Sequence, residues 1–183
     1  MPVRKTHQEK INEKVLTLST VDGVKNGLAR LEASGKIEFE CFYVNDLLDG
    51  RFIRYYSSGN VLSIVNYEKG VLQGGFVSFY ESGVKQVTGT YKSGVYNGII
   101  KTYDEFGDII KVEPYVDGKL NGKVVSYYSK CVASRSSSGI LEIAFYANGL
   151  LHGNKTTFAP DGKVMSVIPY YHGRPLRYSI VRS

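Results

Sequence analysis

The chain has no tryptophan, two cysteines, two methionines and five prolines among its 183 residues. Cys41 and Cys131 build no disulfide framework and lack the C-x-x-C spacing of a zinc or redox site, which suits two reduced thiols and a cytosolic-type compartment. The opening MPVRKTHQEKINEKVLTLS holds no apolar stretch of signal-peptide length. Nor does any apolar run approach the roughly 18 residues of a membrane-spanning helix. Phosphate-binding G-x-x-x-x-G-K and metal-binding H-E-x-x-H patterns are missing as well. The three histidines do not suggest a ligand set: His7 lies in a polar segment, and His152 and His172 each precede a glycine, as turn residues do. A metal pair is not expected of these two, and Cys131 has no histidine placed to activate it. Asp104-Glu105 reads as a solvated acidic turn. No catalytic residue, metal ligand or cofactor-binding residue is expected.

What the chain does have is 20 glycines, 15 tyrosines and 8 phenylalanines, and these recur with a period. Tyr43, Tyr67, Tyr91, Tyr115, Tyr146 and Tyr170 are spaced by 24, 24, 24, 31 and 24 residues. Each is followed three residues on by Asp46 or by Gly70, Gly94, Gly118, Gly149 and Gly173. A second series, Gly50, Gly74, Gly98, Gly122 and Gly153, opens with Gly27, and a third runs through Gly35, Gly59, Gly83, Gly107 and Gly162, with Gly139 displaced. The long spacing falls on SKCVASRSSSG, an enlarged turn over 129–139.

Many of these glycines follow Asn or Asp, as at Asn97-Gly98, Asn121-Gly122 and Asp117-Gly118. Such pairs accept the positive φ angles of tight hairpin turns. Between them lie β-rich runs such as RFIRYY and VLSIVNY, and no window is long enough for three helical turns except residues 4–18, where a short helix is the expectation. Strands joined by tight turns are antiparallel neighbours. The fold expected is therefore all-β: an elongated, twisted antiparallel meander of about six 24-residue β-hairpin repeats. The anchor tyrosines should share one face, and so should Tyr55, Phe79, Tyr103, Tyr127 and Phe158. Residues 1–19 form an N-terminal segment and candidate cap, 20–177 the repeat domain, and 178–183 a tail.

RFIRYYSSGNVLSIVNYEKGVLQG (51–74) and GFVSFYESGVKQVTGTYKSGVYNG (75–98) resemble the MORN family of repeats, in the tryptophan-poor form met in bacteria and large DNA viruses. Asp46 in an anchor-glycine slot and the insertion at 131–138 depart from the pattern. The resemblance implies a non-enzymatic scaffold or protein-binding surface. Lipid-headgroup binding and antitoxin-like accessory roles are the alternatives it carries, with a cytoplasmic or virion-associated location.

Charge adds a little. The net is +6, residues 47–126 are close to balanced, and the cations from 163 onward (Lys163, Arg174, Arg177 and Arg182) have no acidic companion. Arg174, Arg177 and Arg182 are thus the candidate contacts for an acidic protein or an anionic membrane. The protein partner has no identity in the sequence, and self-association through edge strands is a further expectation. Nucleic acid is disfavoured, because the aromatics that lie among the cations serve packing.

Overall fold

The structure is a computed structural model, and residues 1–129 and 139–176 are described, without the side chain of Ile11. Nineteen strands make up the described chain, with no helix among the described residues. They follow one another as an antiparallel meander, as the glycine spacing predicts. The chain falls into two compact units, one of residues 1–85 and 91–94, the other of 86–90 and from Val95 on.

The first unit contains β1 (Arg4–Ile11), β2 (Lys14–Val21), β3 (Val24–Ala33), β4 (Lys36–Val44), β5 (Leu47–Tyr55), β6 (Val61–Glu68), β7 (Val71–Leu72) and β8 (Gly74–Phe79). The helix expected over 4–18 is not there: β1 and β2 form a regular hairpin in which Arg4 pairs with Val21 and Ile11 with Lys14. The segment has polar residues on both sides of β1 and so shows no alternation, but Asn12 accepts a φ of 58° and turns the chain back.

The second unit holds the middle of β9 (Lys85–Lys92), then β10 (Val95–Tyr96), β11 (Gly98–Tyr103), β12 (Ile109–Val116), β13 (Lys119–Leu120) and β14 (Gly122–Tyr127). It continues with β15 (Ile140–Ala147), β16 (Leu150–Leu151), β17 (Gly153–Phe158), β18 (Val164–Tyr171) and β19 (Arg174–Pro175).

Three glycine slots do three different things. After each anchor tyrosine the chain reverses through two residues, both with positive φ, such as Lys69 (48°) and Gly70 (82°) or Asp117 (47°) and Gly118 (78°). This is the type I′ geometry whose twist suits a hairpin. The third series closes a longer loop: Gly59 N donates to Tyr56 O at 2.9 Å and Tyr56 N donates to Asn60 O at 2.8 Å, a type I turn completed by a left-handed glycine. Ser34-Gly35 is the exception, a two-residue turn between Ala33 and Lys36.

The second series is not at turns, contrary to the tight-turn reading of Asn97-Gly98 and its equivalents. These glycines sit inside a single strand pass, at a bulge. Cys41 pairs with Phe52 and Tyr43 with Leu48, so Phe42 alone faces Asp49, Gly50 and Arg51. Likewise Ser19 faces Asn26, Gly27 and Leu28. In the later repeats the same bulge divides β7 from β8, β10 from β11, β13 from β14 and β16 from β17. A glycine at φ 103°, as at Gly98, is needed at a bulge as much as at a turn, so the dipeptide does not tell the two apart.

Each unit has a core face. Ala29 and Cys41, paired across β3 and β4, are both 2% exposed in the first. Val124 and Ala144 hold the corresponding place in the second, beside Ile100. Phe39, Phe52 and Tyr67 continue that face in a run of ring contacts at 5.1 and 6.2 Å. Small residues and rings fill a thin layer where a two-layer domain would place large aliphatics.

Candidate interaction surfaces

The anchor tyrosines stand opposite the bulge glycines on the next strand. Gly27 pairs with Tyr43, Gly50 with Tyr67, Gly98 with Tyr115, Gly122 with Tyr146 and Gly153 with Tyr170. Gly74 has the same left-handed backbone, φ 83°, and the Tyr91 ring packs on Phe76 at 4.8 Å. A ring facing a residue without a side chain covers its backbone, which explains why tyrosine and glycine recur in phase. Burial pushes the hydroxyls of Tyr43 and Tyr115 above the ordinary tyrosine range. It likewise pushes the Cys41 thiol up, leaving a buried and weakly nucleophilic sulfur. These residues are framework.

The opposite, open face is different. Leu28 and Phe42 form a cross-strand pair there and are 45% and 46% exposed. With Arg51 and Ile53 they line a shallow, mostly apolar hollow of about 360 Å³. Beside it Arg30 donates through Nε and Nη2 to Glu40 Oε1 at 2.8 and 2.6 Å, and Tyr55 OH donates to Glu40 Oε2 at 2.8 Å. Hydrogen bonding to Glu40 raises the Arg30 pKa. The carboxylate is thereby committed to the framework and is not left for acid–base work. In the second unit the equivalent rung holds the pairs Ile99–Pro114 and Lys123–Phe145, with Ile99 and Phe145 again exposed.

Aliphatic side chains also mark the two-residue turns. Leu47 lies over Gly70 and Val71 over Gly94 in the first unit, and Val95 over Gly118 and Leu150 over Gly173 in the second. All four remain exposed.

Of the expected partner contacts, Arg174 is exposed in β19 opposite Tyr171, whereas Arg177 and Arg182 lie outside the described residues. Cys131 and the 131–138 insertion do too. One reading of a polar residue needs correction. Asp104 is not solvated: it is 6% exposed, its Oδ1 accepts the backbone N–H of Phe106 and Asp108, and its Oδ2 accepts Ser129 Oγ at 2.8 Å. In the matching slot Tyr56 OH donates to Phe79 O and Tyr128 OH to Phe158 O, so this position ties one loop to the next. His152 and His172 meet, with ring centroids 5.2 Å apart.

The signal for that meeting was a separation of 20 residues, which the repeat uses elsewhere. Asp49 accepts from Lys69 N, Gln73 from Ser93 N and Asn97 from Asp117 N, all through side-chain oxygens. His152 occupies this acceptor slot, with its Nδ1 buried and without a hydrogen-bond partner. Among the described residues no cluster of three or more His, Cys, Asp or Glu could hold a metal ion.

No helix among the described residues is long and apolar enough to cross a membrane. No curated protein matches the chain. Residues 48–69, from the end of one two-residue turn to the start of the next, match the family model described as MORN repeat variant. Residues 48–69 are thus similar to a MORN repeat variant, and the units on either side run in phase with them at the same 24-residue tyrosine spacing.

Proposed function

We propose that the chain is a non-enzymatic repeat scaffold that docks another protein across its open face. The observation that supports this most directly is the exposed pair Leu28–Phe42 in one unit, with Ile99 and Phe145 exposed in the other at the slots matching Leu28 and Phe42, in two separate pairs. Large apolar side chains held rigidly in water, with arginine or lysine beside them, match the composition of protein-docking cores. The polar groups near them are engaged with one another, as at Arg30, Glu40 and Tyr55.

The test is co-purification of the full chain with Phe42→Lys and Ile99→Lys introduced together. Both positions are exposed, so folding should persist. Loss of a stoichiometric partner held by the wild-type chain is the expected result, and retention of every partner by the variant overturns the reading. A second reading, binding to anionic lipid, draws on the exposed cations Arg4, Lys5 and Lys10 of β1. Co-sedimentation with phosphatidylserine vesicles at low salt, abolished at high salt, would support it.

A further inference from the structure

The first strand offers a docking edge. Among the described residues β1 has a register with β2 alone, and residues 4–10 are all exposed. The phase of its hydrogen bonds is fixed by its neighbour: Asp22 N donates to Val3 O at 3.0 Å, in the same antiparallel register that pairs Arg4 with Val21. Antiparallel ladders alternate, so the odd-numbered residues of β1 exchange bonds with β2. Arg4, Thr6, Gln8 and Lys10 then direct their N–H and C=O groups away from it.

We propose that this edge takes up an acidic, extended segment of a partner protein as an added strand. The claim rests on the scaffold reading and deepens it by giving the partner a chemistry and a place. Backbone bonds supply the affinity of such strand addition, and side chains select. β1 carries Arg4, Lys5 and Lys10 against the single acid Glu9. An acidic strand laid alongside places carboxylates within reach of these cations on both faces.

A second copy of the chain fits less well. Each β1 carries Arg4, Lys5 and Lys10 against Glu9, so two such edges repel, and in the antiparallel register centred on His7, where outward-directed residues pair, Arg4 of one stands opposite Lys10 of the other. The same lysines guard the edge against indiscriminate pairing and leave it open to a strand of opposite charge.

The experiment measures binding of a fluorescent eight-residue peptide, Glu-Glu-Val-Thr given twice so that both faces of the strand carry glutamate, to the full chain by anisotropy. Gln8→Pro deletes one outward N–H and no backbone bond to β2, losing there only the exposed 3.4 Å side-chain bond of Gln8 Nε2 to Thr17 Oγ1, and edge positions accept proline. The expected result is saturable binding that Gln8→Pro weakens at least tenfold and that Lys5→Glu with Lys10→Glu abolishes. The charge reversals lie on exposed side chains, so they test the edge even if the proline variant is unstable. Binding that survives Gln8→Pro in a folded protein overturns strand addition. So does a Gln8-dependent dimer of the chain with no peptide binding, or binding to phosphatidylserine vesicles alone. If the peptide fails while a partner is still lost with Phe42→Lys and Ile99→Lys, the edge claim falls and the scaffold reading stands.

Discussion

At seven reversals, from Asp22-Gly23 to His172-Gly173, the chain turns through two residues. At the alternate reversals the connections differ in length: two residues at Ser34-Gly35, three between Tyr56 and Asn60, and ten between Tyr128 and Gly139. The invariant turns each reach back to the preceding repeat by a backbone bond, Gly70 N to Leu48 O at 2.7 Å and Gly118 N to Tyr96 O at 2.8 Å being two of them. Among the described residues the variable connections show no such regular backbone tie and are joined by side chains, Tyr56 to Phe79 O or Asp104 to Ser129. Where backbone holds one repeat to the next, length is fixed and the first turn residue varies. Where side chains hold it, sequence matters and length can change.

That contrast can be broken most forcefully at the bulge next to the invariant turns. A Cβ at Gly98 would sit 2.8 Å from Thr90 Oγ1, on a backbone whose φ is already 103°. Gly98→Val should cost about 2–3 kcal/mol in denaturant unfolding, whereas Gly59→Ala, which meets nothing within 4 Å, should cost about 1 kcal/mol. Equal costs would mean that packing at the bulge adds nothing to backbone strain.

Next in size is Asp104→Ala. It leaves two backbone donors and a hydroxyl without their acceptor, and should cost about 1–3 kcal/mol. A neutral outcome would show that water replaces the carboxylate and that this loop needs no tie. Tyr56→Phe removes one hydrogen bond of 2.8 Å and should cost about 1 kcal/mol by the same measurement. The smallest effect is a gain. Lys69 holds a left-handed φ of 48°, so Lys69→Asn should raise stability by about 0.5 kcal/mol without changing the peptide affinity of β1.

Much of this architecture was legible from glycine and tyrosine spacing, because a left-handed backbone leaves a mark on composition at every repeat. The bulges were not, since Asn97-Gly98 and Asn148-Gly149 look alike although one interrupts a strand and the other reverses it. The β1–β2 hairpin was hidden for another reason. An exposed edge strand needs no apolar alternation, so RKTHQEKI carries no strand signature. Asp104 escaped because its burial depends on Ser129, a residue 25 positions away in the next loop. His152 and His172 were readable only by asking which slots touch between repeats, a relation that spacing within one repeat does not display. The open-face rung combines both cases: Leu28 and Phe42 are ordinary strand residues, and only the register places them together on the uncovered side.

The ten-residue connection between Tyr128 and Gly139 is closed by the same kind of bond as its three-residue counterparts, Tyr128 N donating to Gly139 O at 3.0 Å. Seven additional residues have therefore been spliced in without disturbing the strands on either side, which resume at Ile140 in register with Tyr127. Such a junction is a port. A tag, an epitope or a foreign loop can be grafted at any connection of the kind between Tyr56 and Asn60, and a whole 24-residue cassette can be copied or excised between two of them. The two-residue turns are less open to such editing, because an inserted residue would break the type I′ geometry that suits the hairpin twist and the backbone bond to the preceding repeat.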